Sequence, residues 1–185
     1  MSAAKISFPG FDAPAASFEA PLEMLSACHG RVERQCQTLL RLVPHLAASG
    51  SDQAAREAAQ NVMRYFDTSA RHHHADEEED LFPALLQSAP EAELAPLREL
   101  IAALQAQHRE LERAWGELRW KLEGVWLETM RDLDADEVGR LVDLYRSHIE
   151  REEEELLPFA ARVLGVAQLD SVGRAMRLRR GIKDV

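Results

Sequence analysis

Two stretches of the chain place the same residue types at the same spacing. RHHHADEEEDLFPALL covers residues 71–86 and SHIEREEEELLPFAARV covers residues 147–163. Each sets a histidine, a glutamate four residues later, an acidic run and then Leu-x-Pro. The first copy holds His73, Glu77, Leu81 and Pro83, and the second holds His148, Glu152, Leu156 and Pro158. On a helix, positions i and i+4 share a face, so each copy offers an imidazole beside a carboxylate. Those two groups together are ligands for first-row transition metals. Whether the two copies can act together depends on which way their helices face.

Leu, Ala, Glu and Arg dominate the middle of the chain while Val, Ile and Thr are sparse, which favours helices over strands. Four segments carry apolar residues three and four apart. The first runs from Glu19 to Ala48, with the stripe Leu22, Leu25, His29, Val32, Cys36, Leu39 and Val43 and a proline, Pro44, near its end. The second runs from Asp52 to Gln87 and aligns Val62, Phe66, Ala70, His73, Glu77, Leu81 and Leu85. The third starts at Pro90 or Pro96 and reaches Thr129, aligning Leu97, Ile101, Leu104, His108, Leu111, Trp115, Leu118 and Leu122. The fourth runs from Asp134 to Leu164 and aligns Leu141, Tyr145, His148, Glu152, Leu156, Phe159 and Val163. Asp134 with Glu137 resembles a capping box, and Gly165 suits a C-cap.

Four such helices with short connections predict an all-α fold, an antiparallel up-down-up-down four-helix bundle over residues 19–165. Residues 1–18 are expected to be an extended N-terminal arm. Residues 166–185 form a basic tail, read either as a short C-terminal helix whose cations meet acids on the body or, more simply, as a solvated end.

Composition limits the partners. The chain of 185 residues carries a net charge of −10, which repels nucleic-acid phosphates. Its acids concentrate at 76–80 and 150–155, so a cation is the natural partner. No apolar run is long enough to span a bilayer, and the N-terminus has no signal-peptide core, so a cytoplasmic protein without a membrane partner is expected. Cys28 and Cys36, if on one helix, stand roughly 12 Å apart, too far for a disulfide. They are expected to be reduced, buried thiols.

The four predicted stripes each carry a histidine: His29, His73, His108 and His148. A single such histidine is most simply a hydrogen-bonded core residue. Four of them joined by Glu77 and Glu152 are not, because a buried carboxylate costs several kcal/mol unless a cation pairs with it, and no Lys or Arg lies on these stripes. A bound metal explains the set. A structural zinc takes four ligands, typically with cysteine, whereas six or seven nitrogen and oxygen candidates suit a pair of ions, iron or manganese first. The Glu-x-x-His spacing of ferritin-like sites is missing: three residues before His73, His108 and His148 stand Ala70, Gln105 and Tyr145. The remaining acids, among them Asp76, Glu79 and Asp80, are expected on a solvated face, with Glu78 and Glu153 placed to hydrogen-bond ligand histidines. His72 and His74 lie about 100° off the stripe and are not expected to be ligands. Trp115, Trp120 and Trp126 are expected to be plain core packing.

His29, HHADEEEDLFP from His73 to Pro83, QHRELE around His108 and HIEREEEELLP from His148 to Pro158 together resemble the hemerythrin-like HHE cation-binding family, over residues 20 to 164. The resemblance implies a bundle around a non-haem di-iron centre, two iron ions joined by an oxygen species and two carboxylates, with manganese or zinc as lesser candidates. It implies His29, His73 and His148 on one ion, His108 on the other, and Glu77 and Glu152 as bridges. Oxygen-carrying members place a second histidine four residues further on the third helix. Here that position is Glu112, which either replaces the imidazole as a carboxylate ligand or turns outward.

Three functions follow as expectations. The first is a di-iron protein that binds oxygen or a related small ligand for sensing, storage or the handling of iron and oxidative stress, as a monomer or homodimer. The second is a di-iron enzyme acting on peroxide or nitric oxide. The third is a bundle that its metal merely staples.

Overall fold

The helix-forming segments become five helices in a computed structural model, which describes residues 17–182. All but Ser17 and Phe18 of the expected N-terminal arm lies outside the described residues. Helix α1 is Pro21–Ser49, with proline in its first turn, where the missing N–H costs nothing. It runs on past Pro44 and stops at Gly50, whose φ of 65° suits glycine and whose N–H donates to the Leu46 carbonyl at 2.8 Å. Helix α2 spans residues 53–88 and starts on Asp52, whose carboxylate accepts the Ala55 N–H at 2.9 Å. A 3₁₀ turn, Glu91–Glu93, leads into α3, Leu94–Trp126.

Helix α4 spans residues 135–163 and is capped by Asp134, which accepts the N–H groups of Asp136 and Glu137 at 2.8 and 3.2 Å. The Glu137 carboxylate pairs with Lys121, so only half of the expected capping box forms. Gly165 is not a left-handed C-cap: at φ −85° and ψ 175° it is extended and stands at the N-cap of helix α5, Val166–Arg179. The basic tail is therefore largely a fifth helix. No strand occurs among the described residues, and no helix among them is long and apolar enough to cross a membrane.

α1 packs on α2 and α4, and α3 packs on the same two, so the four long helices close into a ring. Their inward residues form two apolar cores. One holds Leu39, Val62, Phe66, Leu118 and Leu141, and the other Leu25, Leu81, Leu104 and Leu156, with Val172 and Met176 added by α5. Along every long helix the histidine falls where one core gives way to the other: His29 between Leu25 and Val32, His73 between Ala70 and Leu81, His108 between Leu104 and Leu111, His148 between Tyr145 and Leu156. The polar residues thus form a band across a dry interior.

Three turns of α2 and α4 are π-helical: Phe66–Ala70, Asp76–Leu81 and Glu152–Leu156. Two of them end just ahead of Pro83 and Pro158. A proline removes one backbone bond and crowds the carbonyl four residues back, and a widened turn makes room for its ring. Such turns often carry functional residues, and these two carry Glu77 and Glu152.

The aromatic expectation holds only for Trp115, which is buried on α3 and donates its indole N–H to Asp67 at 3.0 Å. Trp120 and Trp126 are exposed, on the outer side of the same helix. Cys28 and Cys36 are free, buried thiols, and burial foremost pushes the Cys36 thiol up to about 12.

Candidate metal centre

Six of the seven expected ligands meet in the polar band. His29, His73, Glu77 and Glu152 bring one ligand atom each within 4.8 Å of one another, and so do Glu77, His108, His148 and Glu152. Both carboxylates belong to both groups. The His29 and His73 Nε2 atoms lie 3.2 Å apart. Glu152 Oε2 is 3.0 Å from His29 Nε2 while its Oε1 is 3.1 Å from His148 Nε2. Glu77 likewise divides itself, Oε1 at 3.5 Å from His73 Nε2 and Oε2 at 3.3 Å from His108 Nε2. Each carboxylate therefore offers one oxygen to each side.

This grouping changes the division of histidines implied by the resemblance. His148 lies with His108, not with His29 and His73, so the two sides receive two imidazoles each. Glu112 joins neither group and is exposed, while Leu111 takes the inward position. Leu111 takes the core side one turn after His108, and Glu112, one residue further round, lines a surface cavity that His74 also lines.

Two neighbouring acids fulfil their expected role. His29 Nδ1–H donates to Glu153 Oε1 at 2.6 Å and His108 Nδ1–H to Glu78 Oε1 at 2.7 Å. Each bond holds a proton on Nδ1 and turns Nε2 toward the band. His148 Nδ1 faces Gln107 Oε1 at 3.4 Å.

His74, not expected at the centre, is buried there. Its ring stacks on His108 with centroids 4.0 Å apart and planes 13° apart, and one of its nitrogens lies within 4.8 Å of ligand atoms on His108 and His148. Imidazole donates its lone pair in the ring plane, so two face-to-face rings cannot both point at one ion. His74 therefore backs His108 instead of ligating beside it. It also lines a surface cavity of about 420 Å³, with Phe66, Ala70, Trp115 and Tyr145, so it stands between solvent and the centre. The signal for it in the sequence was its place next to His73, which helical spacing alone sent off the stripe. Another residue that spacing misjudged is Asp76: it is completely buried, and Arg179 and Arg180 bond its carboxylate.

The band is electrostatically tense. Burial and then the charge of Glu152 raise the Glu77 carboxyl. Burial also opposes charge on Glu152, but the imidazoles around it, His148 first, outweigh it and hold its carboxyl well below the usual range. Burial works against protonated His108, yet the nearby carboxylates of Glu152 and Glu77 and the bond to Glu78 raise it to about 10. His148 is pushed down to about 3, by burial foremost.

Among the described residues eight buried side-chain polar atoms lack a hydrogen bond; besides His73 Nδ1 and His74 Nε2, the other six converge. Both oxygens of Glu77, both of Glu152, and Nε2 of His108 and His148 are buried and unpartnered. Buried polar atoms almost always find a partner, and six nitrogen and oxygen atoms that share an interior and lack one fit a cation. The set could hold a metal ion on each side of the two carboxylates.

Comparison with known proteins agrees. The family model described as the hemerythrin HHE cation binding domain matches residues 20–160. An uncharacterized protein of Haemophilus influenzae is 34% identical over 169 residues, 91% of this chain and 95% of that protein. With the matched region covering all six converging residues, the chain belongs to the hemerythrin HHE cation-binding family.

Proposed function

We propose that the chain is a non-haem di-iron protein that binds oxygen or a related small ligand, for sensing, storage or the handling of iron and oxidative stress. The observation that carries this reading is the overlap of two four-residue ligand groups through Glu77 and Glu152. His29 and His73 would hold one ion and His108 and His148 the other, with the two carboxylates between them. The ring of helix contacts supports an up-down-up-down bundle as the frame.

A metal pair at this position would supply Lewis acidity and electrons to a small molecule. The chain supplies the rest. Glu78 and Glu153 orient their histidines, the two apolar cores exclude bulk water, and the cavity that His74 lines brings solvent to within one side chain of the centre. That closeness of solvent favours, as a second reading, turnover of peroxide or nitric oxide over a metal that only staples the fold, because a staple needs no solvent near it.

Elemental analysis of protein purified from iron-supplemented cells, with the visible spectrum of the same sample, tests the proposal. Two irons per chain and a spectrum that changes on adding oxygen to the reduced protein are expected. One zinc, or folded protein without metal, would overturn it. Sustained consumption of peroxide or nitric oxide would select the enzyme.

A further inference from the structure

The fifth helix ends against the turn that presents Glu77. Arg179 Nη1 lies 2.5 Å from Asp76 Oδ1, and its Nη2 lies 2.7 Å from Glu79 Oε2 and 2.6 Å from Asp80 Oδ2. Arg180 grips the same Asp76 with both arms, Nη2 to Oδ2 at 2.6 Å and Nη1 to Oδ1 at 3.1 Å. Asp76 has no solvent exposure, and it immediately precedes the carboxylate shared by both ligand groups.

The π turn Asp76–Leu81 carries five acids in succession, Asp76 to Asp80. Like charges one turn apart repel, and a rare backbone conformation persists only where its surroundings determine it. Glu77 and Glu78 face the centre and His108. The other three acids are all engaged by the arginine pair.

The second repeat is an internal comparison. The residue before Glu152 is Arg151, not an acid, and it pairs with Glu155 of its own helix at 3.3 Å. That turn supplies its own cation, whereas the first must receive one from elsewhere in the chain.

We infer that α5 is a clamp for the metal centre: Arg179 and Arg180, through buried Asp76, hold the π turn in the register that presents Glu77 to both ions and Glu78 to His108. The inference rests on the metal-centre reading, and both arginines are positioning residues. Partners beyond the ligands themselves commonly change metal affinity by roughly 10- to 100-fold.

The docking of α5 gives an independent handle. A Cβ on Gly173 would fall 2.0 Å from the backbone oxygen of Phe18, so Gly173→Ala must push α5 and the Phe18 segment apart while removing no charged group from the chain.

The test loads full-length protein with ferrous iron and follows its release to an excess of coloured chelator. The double substitution Arg179→Gln with Arg180→Gln is expected to release iron roughly 10- to 100-fold faster than the wild type. Arg180→Lys keeps the charge but loses the two-armed grip, and an intermediate rate is expected. Gly173→Ala is expected to release faster as well. Leu118→Ala, in the core away from α5, serves as a variant of reduced stability with the clamp intact. Wild-type release rates in the arginine and Gly173 variants would overturn the clamp, as would equally fast release from Leu118→Ala at a matched loss of melting temperature. If the double variant does not fold, Arg180→Lys and Gly173→Ala decide by the same criteria. A wild-type chain that takes up fewer than two ions would instead sink the metal-centre reading, and the clamp with it.

Discussion

Replacing Glu152 by glutamine keeps the size of the side chain and removes its charge. Its carboxylate lies 3.0 Å from His29 Nε2, 3.1 Å from His148 Nε2, 3.8 Å from His73 Nε2 and 3.9 Å from His108 Nε2, and all five residues are buried. Removing one member of a buried ion pair costs about 3–5 kcal/mol because the other charge is left uncompensated. Here the imidazoles can shed protons, so the lower end, ~3 kcal/mol, is expected for the metal-free protein. In a chain of this length each kcal/mol moves the melting point by about 2–4 °C, which gives a drop of roughly 6–12 °C. The second effect is on metal. Wild-type protein with metal at about 100 times its dissociation constant gains about 2.7 kcal/mol, and the variant, lacking one shared carboxylate, should lose most of that gain. Thermal unfolding followed by circular dichroism, with and without added iron, reads both effects, and metal content on the same samples reads the stoichiometry. A variant that melts like the wild type and still holds two irons would refute the assignment of Glu152 as the group on which both sides depend.

The metal-free protein should be most stable near neutral pH. His108, raised from 6.5 to about 10, contributes stability that is complete below pH 6.5 and lost as the pH rises toward 10, while His148, lowered to about 3, contributes stability present above 6.5 and lost as the pH falls toward 3. Urea unfolding across that range should give a maximum between the two limbs, and a monotonic curve would contradict it. Glu112→Ala should leave metal content unchanged, whereas Glu78→Gln, which weakens the bond that orients His108, should lower affinity roughly 10- to 100-fold. A competition titration separates the two. Asp67→Ala strips the buried Trp115 indole of its partner and leaves Arg119 paired with Glu123 alone and should cost about 1–3 kcal/mol, measurable by chemical denaturation. Leu118→Ala empties a fully buried site and should cost about 2–5 kcal/mol.

Periodicity alone identified the helices and the inward histidines, because an apolar stripe three and four residues apart has one way to face a core. The repeat of His-x-x-x-Glu placed an imidazole and a carboxylate together before any fold was known, since that pairing is local to one helix. Pro83 and Pro158 also held a readable signal for the two π turns beside them. The π turn Phe66–Ala70, with no proline near it, left no such trace. What spacing could not decide was everything that depends on a second helix. The partition of His148 with His108, the outward turn of Glu112 and the burial of His74 against His108 follow from how α2, α3 and α4 sit together. The exposure of Trp120 and Trp126 follows from which face of α3 lacks a neighbour. Asp76 is the plainest case. As one of five consecutive acids it reads as solvated, because charge is normally left in water. Only the docking of α5 brings two guanidinium groups onto it and makes its burial affordable, and a contact between residues 76 and 180 is set by tertiary packing alone.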